Sequence, residues 1–169
     1  MTRLADIKWQ NEEFILEEEK IIKIDELKQA TSEAITAGFD YEIDGKVYHF
    51  NYSIENQINL QDCFNSIQTS DIESIVLNGY FEGVRENLTL SNEVFTKLYM
   101  YAVGFKNSLL EHLNMVLIPK VNESLIINEL YSVSFNINNV EIKYSNLKNI
   151  NHDERIQAIE LAVLDLMMF

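Results

Sequence analysis

The run Phe39-Asp40-Tyr41-Glu42-Ile43-Asp44-Gly45-Lys46-Val47-Tyr48-His49-Phe50 constrains the fold more than any other stretch of this chain. Phe39, Tyr41 and Ile43 alternate with Asp40 and Glu42, the period of a strand with one buried face. Asp44-Gly45 then supplies two residue types that accept positive φ, as both centres of a type I′ turn require, and Val47 follows the turn. A β-hairpin is expected here. Its apolar face needs cover from other elements, and the flanking sequence supplies candidates.

Ahead of the hairpin, Ile7, Phe14, Ile21, Ile24, Leu27, Ala30 and Ala34 recur at spacings of three, four or seven from about Asp6 to Ala37. Gly38 stands where a helix C-cap glycine belongs. Glu17-Glu18-Glu19 interrupts the apolar stripe with a solvated face, so the pattern fits one long helix or two segments breaking near Lys20. A thin stripe on a long helix packs either on the domain's own sheet or on a partner or second copy, and both readings stand. Trp9, Phe14 and Ile21 are its candidate interface residues.

After the hairpin, Ser53 is placed to cap a helix from Ile54 to about Ile67, with Ile54, Ile58, Leu60, Phe64 and Ile67 as its apolar positions. Ile72–Leu77 reads as a strand, Asn78-Gly79 as its turn and Tyr80–Arg85 as the returning strand, with Gly83 as a bulge. Ser91 caps a long aromatic helix through Phe95, Leu98, Tyr101, Phe105 and Leu113, the expected spine of the core. Beyond Pro119, Leu125–Ile137 and Val140–Tyr144 read as a hairpin around Asn138-Asn139. A final helix is capped by Asn151 with Glu154 three residues on. It ends in Leu166-Met167-Met168-Phe169, an apolar tail that is costly in water and is expected to be buried or docked.

The expected class is α+β: a long N-terminal helix (residues 1–37), a core of antiparallel β-hairpins packed against helices (38–118), and a hairpin with a C-terminal helix (119–169), in one globule. The chain of 169 residues suits one domain or one with a small appendage, and a single proline leaves little room for linkers. Its formal charge of −14 repels phosphate and argues against a nucleic-acid partner. The acids are spread along the chain, which favours a role in solubility over mimicry of nucleic acid. The N-terminus carries no apolar signal region and no apolar run reaches spanning length, so neither export nor a membrane partner is expected.

No reaction chemistry is legible. Cys63 is the single cysteine, which suits a reducing compartment, and a lone thiol reads as a small core hydrophobe. His49, His112 and His152 form no metal-ligand spacing and read as structural. Asp40, Glu42 and Asp44 alternate on one strand but lack the spacing of a calcium loop. Phosphate-binding loops and nucleophile elbows are missing from the sequence. The expectation is therefore no catalytic residue, no metal and no cofactor. Eight tyrosines, Tyr41 and Tyr48 among them, favour protein or glycan contacts, since tyrosine pairs a largely apolar body with a polar tip. Candidate interface residues are thus Trp9, Phe14, Ile21, Tyr41, Tyr48, Leu166, Met167 and Phe169.

Leu27–Ile67, LKQATSEAITAGFDYEIDGKVYHFNYSIENQINLQDCFNSI, resembles a small domain of bacteriophage tail and tail-fibre-associated proteins: a helix, a Gly-Phe-x-Tyr hairpin, a polar segment with Gln, then a helix. Leu88–His112, LTLSNEVFTKLYMYAVGFKNSLLEH, is similar to the helix that follows there. The residues carrying the resemblance are Gly38, Phe39, Tyr41, Gly45, Tyr48, Phe50, Gln57, Leu90 and Phe95, within residues 25–115. It implies a non-enzymatic virion protein made in the host cytoplasm: a tail, baseplate or fibre connector, or an assembly component. Its partners would be other phage structural proteins and further copies of itself. The competing expectation is a phage-encoded acidic inhibitor of a host defence protein.

Overall fold

The computed structural model describes residues 4–144, with side chains from residue 12 onward. It is α+β. In chain order the elements are α1 (Leu4–Ala37), β1 (Phe39–Ile43), β2 (Lys46–Phe50), α2 (Ile54–Thr69), β3 (Ser74–Phe81), β4 (Val84–Ser91) and α3 (Asn92–His112). A π-turn (Leu113–Leu117), α4 (Ile118–Glu123), α5 (Ile127–Ser132) and a 3-10 turn (Ile137–Asn139) follow. The described residues group into two compact units: one holds residues 4–35 with Asn107–Glu141, the other Thr36–Lys106 with residues 142–144.

In the second unit the four strands form an antiparallel sheet in the order β1-β2-β3-β4. The first hairpin forms as its alternation dictates, from Phe39↔Phe50 to Ile43↔Lys46. Asp44 (φ 52°) and Gly45 (φ 78°) make its turn. Phe39, Ile43, Tyr48 and Phe50 are buried while Asp40 and Glu42 lie in solvent. Phe39 is the hub of an aromatic cluster, with ring centroids 5.5 Å from each of Tyr52, Tyr101 and Phe105. Through it the hairpin meets α3, whose Phe95, Leu98 and Ala102 are fully buried.

Ser53 caps α2 as expected, its Oγ accepting the Asn56 N–H at 3.3 Å. Leu60 and Phe64 alone form the buried face of α2; Ile54 and Ile58, expected there too, are exposed. Ser91 ends β4 and also accepts the Val94 N–H at 3.4 Å, so one residue closes a strand and opens α3.

The second hairpin corrects the expectation. β3 runs straight through Asn78-Gly79, and the turn falls at Glu82-Gly83, both with positive φ. Eight residue pairs, Ser74↔Ser91 to Phe81↔Val84, run without a break, so Gly83 is a turn residue and no bulge. Gly79 serves packing instead: a Cβ there would meet Leu88 Cδ1 at 2.9 Å and the Phe50 ring at 3.4 Å. Glutamate at φ 50° is an ill-suited occupant, because its Cβ crowds the backbone where asparagine is tolerated. Glu82→Asn is expected to stabilise the protein by about 0.5–1 kcal/mol in urea denaturation. A loss of stability would show that the Glu82 side chain has a compensating role.

In the first unit α1 is a single helix with no break at Lys20. Its Leu27 joins Leu113, Leu117, Val121, Leu130 and Val133 in a buried cluster, flanked by Leu16, Ile24, Ile118 and Phe135. The helical path from α3 does not stop at Pro119. It widens into the π-turn, where the Ile118 N–H reaches back to the Leu113 carbonyl, and α4 takes Pro119 in its first turn. A proline is tolerated there because its missing N–H has no obligatory partner in the first turn.

The expected hairpin around Asn138-Asn139 does not form. A strand over Leu125–Ile137 would put Leu130 and Val133 on opposite faces. Leu130 is in fact fully buried beside Val133, and a helical turn brings residues three apart to one side. Asn136 then caps the 3-10 turn, its side chain accepting the Asn138 N–H at 3.0 Å. The final helix expected from Asn151, with Leu166, Met167 and Phe169, lies outside the described residues.

Candidate docking surface

The outward face of α1 is the most distinctive surface among the described residues. The inward face of the same helix is accounted for: Leu16, Ile24 and Leu27 pack on the buried cluster, and Thr31 is buried with its Oγ1 donating to the Leu27 carbonyl at 2.8 Å. On the other side Phe14 (64% exposed), Ile15 (51%), Ile21 (65%) and Ile22 (52%) stand in water. Phe14 and Ile21 are seven residues apart, as are Ile15 and Ile22, so they form two apolar rows along the helix. Isolated exposed apolar residues need no explanation, but two aligned rows form a patch.

Charge divides between the two sides of the helix. Lys20 and Lys23, the two bases of residues 12–26, have side chains only 12% and 15% exposed. Lys20 Nζ donates to Glu17 at 2.9 Å and to the Asn122 carbonyl at 3.2 Å, and Lys23 pairs with Glu26 at 3.3 Å. Glu19 is also engaged, accepting the Tyr131 hydroxyl at 2.8 Å. That bond raises the Tyr131 phenol above its ordinary pKa. Glu18 lies three or four residues from each of Phe14, Ile15, Ile21 and Ile22, and Asp25 stands in the same relation to Ile21 and Ile22. The outward stripe is therefore two apolar rows with Glu18 and Asp25 between them, and the exposed Lys28 pairs with Asp25 at 3.7 Å.

The other expected site residues lie elsewhere. Trp9 falls within α1, with its side chain outside the description. Tyr48 is corrected from surface to core: it is 5% exposed, and its hydroxyl donates to Glu86 at 3.2 Å. A central hairpin position facing β3 and β4 buries the ring and leaves only the hydroxyl to be satisfied. Tyr41 is half-buried, its ring centroid 5.2 Å from that of Tyr101, and burial raises its phenol pKa, with Tyr144 adding to the rise. The sequence signal for the stripe was the heptad recurrence itself. Ile15 and Ile22 fall outside that recurrence, which runs Phe14 and Ile21 of the outward side together with Ile24 and Leu27 of the packed side.

Of the groups with reactive chemistry, His49 has a structural role. His49 lies opposite Asp40 across the hairpin, Nδ1 2.8 Å from Asp40 Oδ1 and Nε2 2.9 Å from the Ala37 carbonyl oxygen, so it ties β2 to the end of α1. His112 is the last residue of α3, and His152 lies outside the described residues. Burial, and then Asp62, push the Cys63 thiol above its ordinary pKa, which disfavours the nucleophilic thiolate. Beside Cys63 an open cleft of about 520 Å3 runs between α2 and the sheet, with Asn51, Asn56, Asn59, Asn78, Tyr80 and Arg85 in its wall. Asp62 is the one carboxylate in that lining, so it brings no pair of acids together. Among the described residues, no group of three or more His, Cys, Asp or Glu could hold a metal ion, and no helix is long and apolar enough to cross a membrane.

The residues that carry the resemblance to phage tail domains occupy packing and turn positions. Phe39, Tyr48, Phe50, Leu90 and Phe95 are buried, and Gly38 and Gly45 have positive φ. Gln57 donates to the Tyr52 carbonyl at 2.9 Å and accepts from Lys106 at 3.0 Å. No protein-family model matches the chain, and no curated protein or solved structure does.

Proposed function

We propose that this chain is a non-enzymatic docking protein of a bacteriophage particle: a tail, baseplate or fibre-associated connector, or an assembly component for one. The observation that carries docking is the outward stripe of α1, where four large apolar side chains stay in water on a helix whose opposite side is packed. Such a face lowers its free energy by meeting a partner, at roughly 25 cal/mol for each Å2 of apolar surface covered. The particle setting rests on the resemblance of Leu27–Ile67 and Leu88–His112 to tail-associated domains.

Mass spectrometry of purified particles tests this reading. The chain is expected in them at a fixed ratio to the tail proteins, and its absence overturns the virion role. The acidic charge supports one competitor, an inhibitor of a basic host defence protein. That reading predicts absence from particles together with stoichiometric, salt-sensitive inhibition of such a protein.

A further inference from the structure

We infer that the partner of the α1 face is a basic amphipathic helix, one with a row of Arg or Lys bracketed by apolar rows, and not a second copy of this chain. The inference rests on the docking reading above and adds the chemistry of the partner. Glu18 stands at the centre of the stripe, within one helical turn of Phe14, Ile15, Ile21 and Ile22, and Asp25 continues its row. Any helix that covers the four apolar side chains must therefore also cover these carboxylates.

A second α1 would bring its own Glu18 to the same seam, so like charges would meet inside an apolar collar that excludes water. Repulsion strengthens as the local dielectric falls, and each Glu18 would also lose hydration with nothing in return. Lys20 and Lys23 are turned to the other side of the helix, held by Glu17, Asn122 and Glu26. Lys28 lies beside Asp25 at 3.7 Å, ten residues from Glu18, so the conflict falls on Glu18. Residues 12–28 carry seven acids (Glu12, Glu13, Glu17, Glu18, Glu19, Asp25 and Glu26) against Lys20, Lys23 and Lys28, a formal charge of −4. A basic row removes the conflict: apolar rows meet apolar rows, and Arg or Lys meets Glu18 in charge-assisted hydrogen bonds. In sequence the apolar row continues toward the N-terminus through Ile7, seven residues before Phe14, which sets the partner's length at roughly three heptads.

The test uses the full chain and a synthetic helical peptide of that length with a central Arg row between two Leu rows. Its controls are a twin with Glu in place of Arg and a scrambled peptide of the same composition as the first. The Arg-row peptide is expected to bind at least about tenfold more tightly than either control, and less tightly as salt rises. Phe14→Ala with Ile21→Ala is expected to weaken it at least about tenfold with no loss of thermal stability, since alanine favours the helix. Glu18→Lys is expected to shift the preference toward the Glu-row twin. Equal binding of the Arg and Glu twins overturns the inference, and so does equal binding of the scrambled peptide. Unchanged affinity in the double variant overturns it as well, as does a dimer of the free chain that the double variant abolishes. Incorporation into particles without the peptide preference overturns the partner chemistry alone. The preference without incorporation overturns the particle setting alone.

Discussion

Gly38→Ala is expected to lower stability by about 3 kcal/mol or more, a large loss for the addition of one methyl group. Two effects coincide. Gly38 has φ +102°, a backbone conformation that crowds any Cβ against the chain's own carbonyl. A Cβ there would also lie 2.0 Å from the Phe50 carbonyl oxygen and 2.9 Å from the Asn51 Cα, so the backbone on either side would have to move. The approach is close because α1 ends at Ala37 and the chain pairs at once, Phe39 with Phe50, while His49 holds the Ala37 carbonyl. Gly45→Ala is the control: its φ is +78° but the space around it is open, so only the backbone effect applies, about 1 kcal/mol. Urea denaturation of both variants separates the two effects. Equal losses would show that the strand can yield at Phe50.

The contrast between these glycines also marks how far the sequence could be read. Asp44-Gly45 announces its turn because type I′ geometry needs those residue types, and Gly38 announces a helix end for a related reason. Asn78-Gly79 carries the same local signal, yet tertiary packing overrides it: Gly79 makes room for Leu88 and Phe50, residues distant in sequence. Glu82-Gly83 carries a weaker signal and forms the turn, because the unbroken pairing of β3 with β4 leaves the reversal nowhere else to go. The hairpin expected over Leu125–Tyr144 gives way to tertiary packing as well. There the burial of Leu130 depends on Leu113, Leu117 and Val121, which no local pattern includes. The outward stripe of α1 is half legible. The heptad of Phe14 and Ile21 is visible in the sequence, but which side of α1 is already occupied, and where Lys20 and Lys23 turn, is decided by packing.

Phe95→Ala is expected to cost about 3–5 kcal/mol, while Phe14→Ala is expected to change stability by no more than about 0.5 kcal/mol. Both remove the same atoms from a helix. Phe95 is fully buried on α3, its ring 6.4 Å from Tyr99, which itself stacks on Phe64 at 4.4 Å; truncation leaves a cavity that these aromatics cannot fill without breaking their own contacts. Phe14 is 64% exposed, so truncation leaves no cavity, and alanine is the better helix former. Thermal unfolding reads the difference, because about 1 kcal/mol moves the midpoint of a chain this size by roughly 2–4 °C. A large loss at Phe14 would mean that the outward stripe supports the fold, and the docking reading would lose its main support. A loss confined to Phe95 means that the stripe is dispensable to folding. Any binding then lost on changing Phe14 and Ile21 reports on the partner and not on the integrity of the protein.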